Sequence, residues 1–265
     1  MKGLGELDVR IYILISVFAL IFCAPAIATD KESDIETNRP SFTFSSIVVP
    51  KGSIQLENGG QFISLDSRKG ILNLPETQIR LGLLEKTEFQ MFVPDYLLFH
   101  RPGQTNDGVT DLQEVGIKQQ LPRIKGIQSS FIGSMNLPTG RRFISGPGVQ
   151  PVFRLPTSMP IGKTHQVCVM PSFALFDSGR HAAYQQTVMY NHTIGKKGIV
   201  FIEYAGFFKR QSPVLNFAHF GGEYKVTPHQ QIDVHFGVGL NREAPNFFVG
   251  AGYSVRIDRF CKASK

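Results

Sequence analysis

The 265-residue chain has no tryptophan and only three cysteines, and charged residues make up 18% of it, against roughly 25% in soluble domains. So few cysteines exclude a disulfide-rich scaffold and a cysteine-based zinc site. No basic run is longer than a pair such as Arg141-Arg142 or Lys196-Lys197, so the formal net charge of +7 does not point to nucleic acid. After residue 28 no apolar run approaches the roughly 20 residues that a membrane-spanning helix needs. There is no Gly-x-Ser-x-Gly elbow to seat a nucleophile. The bases His165, His181, His192, His219, His229 and His235 and the hydroxyls Ser172, Ser178 and Ser212 are scattered, and Asn191-His192 is an isolated pair. His229 and His235 stand too far apart along one strand to share an ion. Neither enzyme activity, metal nor cofactor is therefore expected.

Phenylalanine and glycine are abundant, at 22 and 26 residues, with 42% hydrophobic residues overall. Residues 1–28 read as a signal peptide: Lys2 and Arg10 are basic, Ile11 to Cys23 is uncharged and mostly apolar, and Ala26-Ile27-Ala28 has the small-x-small form of a cleavage site. Residues 29–52 are polar or broken by Pro40, Pro50 and Gly52, which predicts a flexible lead-in. From about Ser53 short alternating runs follow one another, separated by Gly, Pro, Asn and Asp. In Gln231–Leu240 the residues Ile232, Val234, Phe236, Val238 and Leu240 share one face, opposite Asp233, His235, Gly237 and Gly239. In Phe247–Ile257 the residues Phe247, Val249, Ala251, Tyr253, Val255 and Ile257 oppose Phe248, Gly250, Gly252, Ser254 and Arg256. Such period-two runs of about ten residues have the length of a tilted strand across a bilayer.

Further runs at Ser53–Ser64, Gln78–Leu84, Thr87–Val93, Asp111–Leu121, Ile127–Leu137, Gln150–Leu155, Thr164–Phe173, Tyr184–Thr193, Ile199–Phe208 and Val214–Val226 bring the count to roughly twelve strands. Pro94–Asp107, Arg141–Gly148, Asp177–His181 and Lys209–Pro213 read as loops. The expected fold is all-β: a single antiparallel up-and-down transmembrane barrel over 53–260, with a tail at 261–265. A soluble secreted β protein that binds a hydrophobic ligand is the rival, but its outward faces would carry more charge.

Several stretches in order resemble the family of outer-membrane transporters named for the meta-pathway of phenol degradation. They are Asn38-Arg39-Pro40 with Val49-Pro50-Lys51-Gly52 and Ile54-Gln55-Leu56-Glu57; Ile79-Arg80-Leu81-Gly82-Leu83 with Thr87-Glu88-Phe89-Gln90; Asp111-Leu112 with Val115-Gly116-Ile117-Lys118; Leu137-Pro138-Thr139-Gly140; Phe201-Ile202-Glu203-Tyr204; and Gln231-Ile232-Asp233 with Gly237-Val238-Gly239-Leu240-Asn241. The resemblance implies an outer-membrane barrel and the passage of small, often aromatic compounds. Gly252, Tyr253, Val255 and Ile257 also resemble the C-terminal signal read by barrel assembly machinery, although Phe260 is out of phase and is followed by Cys261 to Lys265.

Charged residues within strands are the candidates for function: Glu57, Arg80, Glu114, Lys118, Glu203, Asp233, His235 and Arg256. An arginine facing lipid near the midplane costs about 2–4 kcal/mol, so these groups are expected to face the lumen. There they either line a pore and set its selectivity or pair with one another and close the barrel. A lumen wider than that of an eight-stranded barrel must hold water, a loop or the lead-in. Lys163, Lys196, Lys197 and Lys209 fall near strand ends, either in solvated turns or against lipid head groups or lipopolysaccharide phosphates. The expected partners are thus outer-membrane lipid and a small-molecule substrate. Cys168, on about the seventh strand, and Cys261, after the last, are too far apart around a closed wall to meet the ~7 Å Cα limit of a disulfide. Mass mapping under non-reducing conditions is expected to find no intramolecular Cys168–Cys261 bond; finding one would refute the strand order.

Overall fold

The computed structural model describes residues 33–100, 107–176, 181–210 and 212–258. The leader, Phe260, Cys261 and the tail lie outside the described residues. The chain forms β1 (Ile54–Asp66), β2 (Lys69–Leu74), β3 (Gln78–Leu84), β4 (Thr87–Phe92), β5 (Tyr96–His100), β6 (Gly108–Val109), β7 (Leu112–Gln120) and β8 (Gln128–Leu137). It continues through β9 (Gln150–Arg154), β10 (Thr157–Ile161), β11 (His165–Phe176), β12 (His181–Ile194), β13 (Gly198–Lys209), β14 (Leu215–Thr227), β15 (Gln230–Gly239) and β16 (Phe247–Ile257). Every pairing is antiparallel between neighbours, and β16 returns to β1 with Ile54 opposite Ile257 and Ser64 opposite Phe247, which closes the sheet.

The sixteen segments make twelve staves. β2 continues into β3, β4 into β5, β6 into β7 and β9 into β10, because both members of each pair bond to the same neighbouring staves. Three of the four breaks hold a proline: Pro75, Pro94 and Pro156. A proline has no amide for the ladder, so the hydrogen bonding skips locally while the stave runs on. This corrects the sequence reading at particular places. Pro94–Asp107 is not all loop, since Tyr96–His100 is β5. Lys69–Leu74 and Thr157–Ile161 are strands that the sequence pattern left out, and His181 and Lys209 are strand ends rather than loop residues.

The burial pattern is inverted relative to a soluble protein. Along β15, Ile232, Val234 and Phe236 are 47%, 63% and 45% exposed, whereas Gln231, Asp233 and His235 are 1%, 3% and 8%. The same apolar-out, polar-in alternation holds at Phe131, Val188, Tyr190, Val200, Ile202, Phe220 and Val249 outside and at Gln90, Lys118, Ser130, Thr187, Glu203 and Ser254 inside. A continuous apolar outer belt is at home in hydrocarbon, and a closed barrel leaves no unpaired strand edge there.

The two ends of the barrel differ. At the end where β1 begins and β16 finishes, here called the terminal end, the connections are residues 85–86, 121–127, 162–164, 195–197 and 228–229. At the opposite, loop end they reach residues 138–149 and 240–246. Asp111 anchors the longest loop: it accepts hydrogen bonds from the Gly140 and Gly146 amides, both at 2.8 Å, and from the Ser145 hydroxyl at 2.7 Å. Val234→Arg, placed mid-strand on the apolar belt, is expected to destabilise the barrel by about 2–4 kcal/mol. Urea titration of the protein folded into vesicles reads this directly, and an unchanged midpoint would contradict the belt.

Candidate functional site

All eight candidate residues have their side chains on the inner wall, with Glu57, Arg80 and Lys118 fully buried and the least buried at 8% exposure. The structure divides them among several clusters. The organiser is a stretch of chain outside the strands. Residues Asp34–Gly52 are threaded through the lumen, in contrast to the flexible lead-in that their composition predicts. The lumen supplies what composition cannot show, namely buried carboxylates that accept the segment's amides.

The first cluster surrounds Arg80 on β3. Its guanidinium donates to Glu88 Oε1 and Oε2, both at 2.9 Å, to Glu57 Oε1 at 2.8 Å, and to the carbonyls of Glu36 at 2.8 Å and Ile47 at 3.0 Å. Those five bonds use all five of its N–H groups. Glu57 Oε2 accepts the Asn38 and Arg39 amides at 2.8 and 3.0 Å, and Glu88 Oε2 accepts the Val49 amide at 2.6 Å. Lys118 lies 3.6 Å from Glu88 and donates to the Ile47 carbonyl at 2.8 Å. Wall and segment therefore share one set of buried charges.

A second cluster holds the far side of the segment. Glu203 on β13 accepts the Phe42 amide at 2.9 Å, the Thr43 amide at 2.7 Å and the Thr43 hydroxyl at 2.6 Å. It also bonds His219 Nδ1 at 2.8 Å, and His219 Nε2 lies 3.1 Å from His235 Nδ1. Phe42 packs among Phe207, Phe217, Phe248 and the His219 ring, with centroids 5.0–6.1 Å away. Glycine on the inner face of β16 makes room here: a Cβ at Gly250 would collide with His235, and one at Gly252 with Arg39.

Arg39 ties the segment to Glu76 at 2.8 Å and to Asp233 at 3.4 Å. Ser46 completes the circuit, its hydroxyl 2.9 Å from that of Ser158 and its carbonyl accepting from Ser130 at 2.6 Å. The other two candidates stand apart from these groups. Glu114 pairs with Arg154, which in turn reaches Ser172 and Gln185. Arg256 lies at the terminal end, bonded to Asp258 at 2.8 Å and to the Asp34 carbonyl at 3.3 Å.

The sequence reading missed Glu88, His219, Thr187 and Arg39. Glu88 was within reach, because it shares the inner face of β4 with Gln90, and Gln90 stands opposite Arg80. Arg39 and Thr43 lie in chain without periodicity, where no pattern assigns a face. Cys168 is a buried free thiol, 3.5 Å from the Ser158 hydroxyl. Among the described residues no group of three or more His, Cys, Asp or Glu side chains could hold a metal ion.

Among the described residues, the segment lies between two of the lumen's cavities. The one towards the terminal end, about 460 Å³, is polar and lined by Glu36, Arg123, His165, Lys196, Glu223 and Lys225 among others. The one towards the loop end, about 470 Å³, is walled by Phe42, Phe44, Phe92, Phe207 and Phe248, with Glu76, Asp95, Glu114, Arg154 and His235 between them. Ser41 and Phe44 line both, so the partition is the segment itself.

Residues 37–257 match the model of the family described as "Putative MetA-pathway of phenol degradation". The chain belongs to that family. The matched stretch starts inside the lumen segment and ends with β16, so the family's shared region includes the segment from Thr37 as well as the wall. Among solved structures, the outer membrane channel from Pseudomonas putida F1 is similar at a TM-score of 0.63 and 12% identity, over 80% of this chain and 98% of that one. The NanC porin gives 0.57 and 10% over 76% and 100% of the two chains, and the KdgM porin 0.52 and 11% over 77% and 98%. At these identities the likeness is one of fold. No curated protein matches the chain by sequence.

Arg80→Ala leaves Glu57 buried without its cation and Glu88 with only Lys118 at 3.6 Å, and is expected to cost about 3–5 kcal/mol. Arg80→Lys restores the charge but not the fork and should recover only part of it. Urea midpoints of the three proteins check this, and an Arg80→Ala barrel as stable as the parent would refute the network's role.

Proposed function

We propose that the protein is a passive outer-membrane channel for small molecules, with apolar or aromatic ones favoured, whose lumen is closed in this state by its own segment 34–52. The observation that carries the reading is the partition: two cavities separated by a strap held through hydrogen bonds and ion pairs. A route through the barrel opens if that strap shifts, with no change to the wall. The Phe-lined cavity at the loop end supports an apolar or aromatic passenger, and the fold shared with outer-membrane channels and porins supports the membrane.

In this reading the leader directs export, and Gly252, Tyr253, Val255 and Ile257 of β16 present the assembly signal. The terminal end faces the periplasm, where barrels of this kind carry their short turns. Glu57, Arg80, Glu114, Lys118, Glu203, Asp233, His235 and Arg256 line the path and set its selectivity once the strap moves. A closed barrel with a structural role is the competing reading, favoured by the number of bonds that fasten the strap.

The Thr43 and Thr187 hydroxyls lie 2.6 Å apart, on strap and wall. Thr43→Cys with Thr187→Cys, in a background of Cys168→Ser and Cys261→Ser, is expected to lock the strap when oxidised. In planar bilayers, current steps should fall on oxidation and return on reduction. Conductance that ignores the lock would show that the strap does not gate the path. Stable insertion with no conductance in either state would favour the structural barrel.

A further inference from the structure

The outer wall has a feature that the channel reading does not use. From the terminal end towards the middle of the wall, two cross-strand rows on the lipid-facing side each contain a glycine. One row runs Ile194, Gly198, Tyr224, Ile232, and the next runs Val200, Gly222, Val234. The flanking side chains are large and 42–63% exposed: Ile194 53%, Tyr224 50%, Ile232 47%, Val200 42% and Val234 63%. Between them lies an apolar groove of about 670 Å³.

Packing does not demand glycine at position 222. A Cβ there would meet only the Ile199 carbonyl at 3.5 Å and a Val200 methyl at 3.8 Å, both ordinary contacts. Gly237 and Gly221 differ, since Phe248 and Phe201 fill the space beside them. What the missing side chain at Gly222 does is leave the groove open.

The rim of the groove is cationic. Lys196 and Lys197, in the turn between β12 and β13, are exposed and line it. Lys197 Nζ sits 5.9 Å from the centre of the Tyr224 ring and donates to the Val226 carbonyl at 3.1 Å, so its ammonium is held at the groove's mouth. Glu223 and Asp233 touch the groove from its floor, but strand alternation turns their carboxylates to the lumen. An apolar groove with the Lys197 ammonium held at its membrane-surface end, Lys196 beside it on the turn that also borders the lumen cavity, and no carboxylate facing it, is complementary to one lipid class.

We propose that this groove is a binding site for an anionic phospholipid of the periplasmic leaflet, with an acyl chain lying over Gly198 and Gly222 and the phosphate on Lys196 and Lys197. The inference rests on the membrane placement and orientation given above, not on conduction. An open or a closed lumen leaves it unchanged.

Native mass spectrometry of the full chain, released from detergent with equimolar phosphatidylglycerol and phosphatidylcholine, tests it. The parent protein is expected to retain phosphatidylglycerol in preference. Lys196→Gln with Lys197→Gln should reduce that preference about tenfold or more, since each cation near an anionic lipid surface contributes about 1 kcal/mol. Gly222→Leu, which fills the groove, should abolish retention of both lipids. Heat-modifiable gel migration reports that each variant is folded, and the lysine pair alone decides the matter if Gly222→Leu does not fold. Equal retention of the two lipids by the parent, or a preference unmoved by the lysine changes, would overturn the site. Preferential retention of lipopolysaccharide would overturn its assignment to the periplasmic leaflet.

Discussion

Arg80 carries more of this structure than any other side chain. Its five N–H groups are divided between two carboxylates of the wall and two carbonyls of the lumen segment, with no donor left over. Because Glu57 and Glu88 also accept amides of the segment, the ion pairs that neutralise the wall are the ones that position the strap. A guanidinium does this where an ammonium cannot, since its planar fork addresses several acceptors at once while staying charged. Lys118 beside it reaches one strap carbonyl and lies at longer range from Glu88.

The medium outside dictates this arrangement. Lipid accepts neither charge nor an open hydrogen-bonding edge, so the alternation of each strand sends apolar groups outward and polar ones in. A wall of twelve staves then encloses polar side chains that need partners. The segment answers that need with its backbone: amides of Asn38, Arg39, Phe42, Thr43 and Val49 go to carboxylates, and carbonyls of Glu36, Ser46 and Ile47 go to Arg80, Ser130 and Lys118. Main-chain groups of an irregular segment are tolerated at membrane depth when they are buried in protein and bonded there. The two wings of the lumen keep different characters, polar towards the termini and phenyl-lined towards the loops, and the lipid-facing groove adds a third surface whose chemistry is set by two absent side chains.

Strand reading from sequence succeeded where alternation was uninterrupted and stopped at prolines. β15 was legible residue by residue and β16 as far as Ser254, with Val255 buried at 4% exposure where the alternation turns it outward, whereas β5 and β10 were not, because Pro94 and Pro156 end the pattern while neighbouring staves still supply hydrogen bonds. The inner placement of Asp233, His235 and Arg256 followed from phase alone. That Glu203 bonds His219 and Thr43, or that Asp233 meets Arg39, did not follow, since those pairs lie 16, 160 and 194 residues apart along the chain.

Periodicity by itself therefore determined the fold class, the approximate stave count and which side chains face inward, because each is a local property of an alternating strand bounded by lipid. Tertiary structure alone decided what fills the barrel. Residues 34–52 have no period and read as loose chain, and only closure of the wall brings Glu57, Glu88 and Glu203 to the places where the segment's unpaired amides can be satisfied.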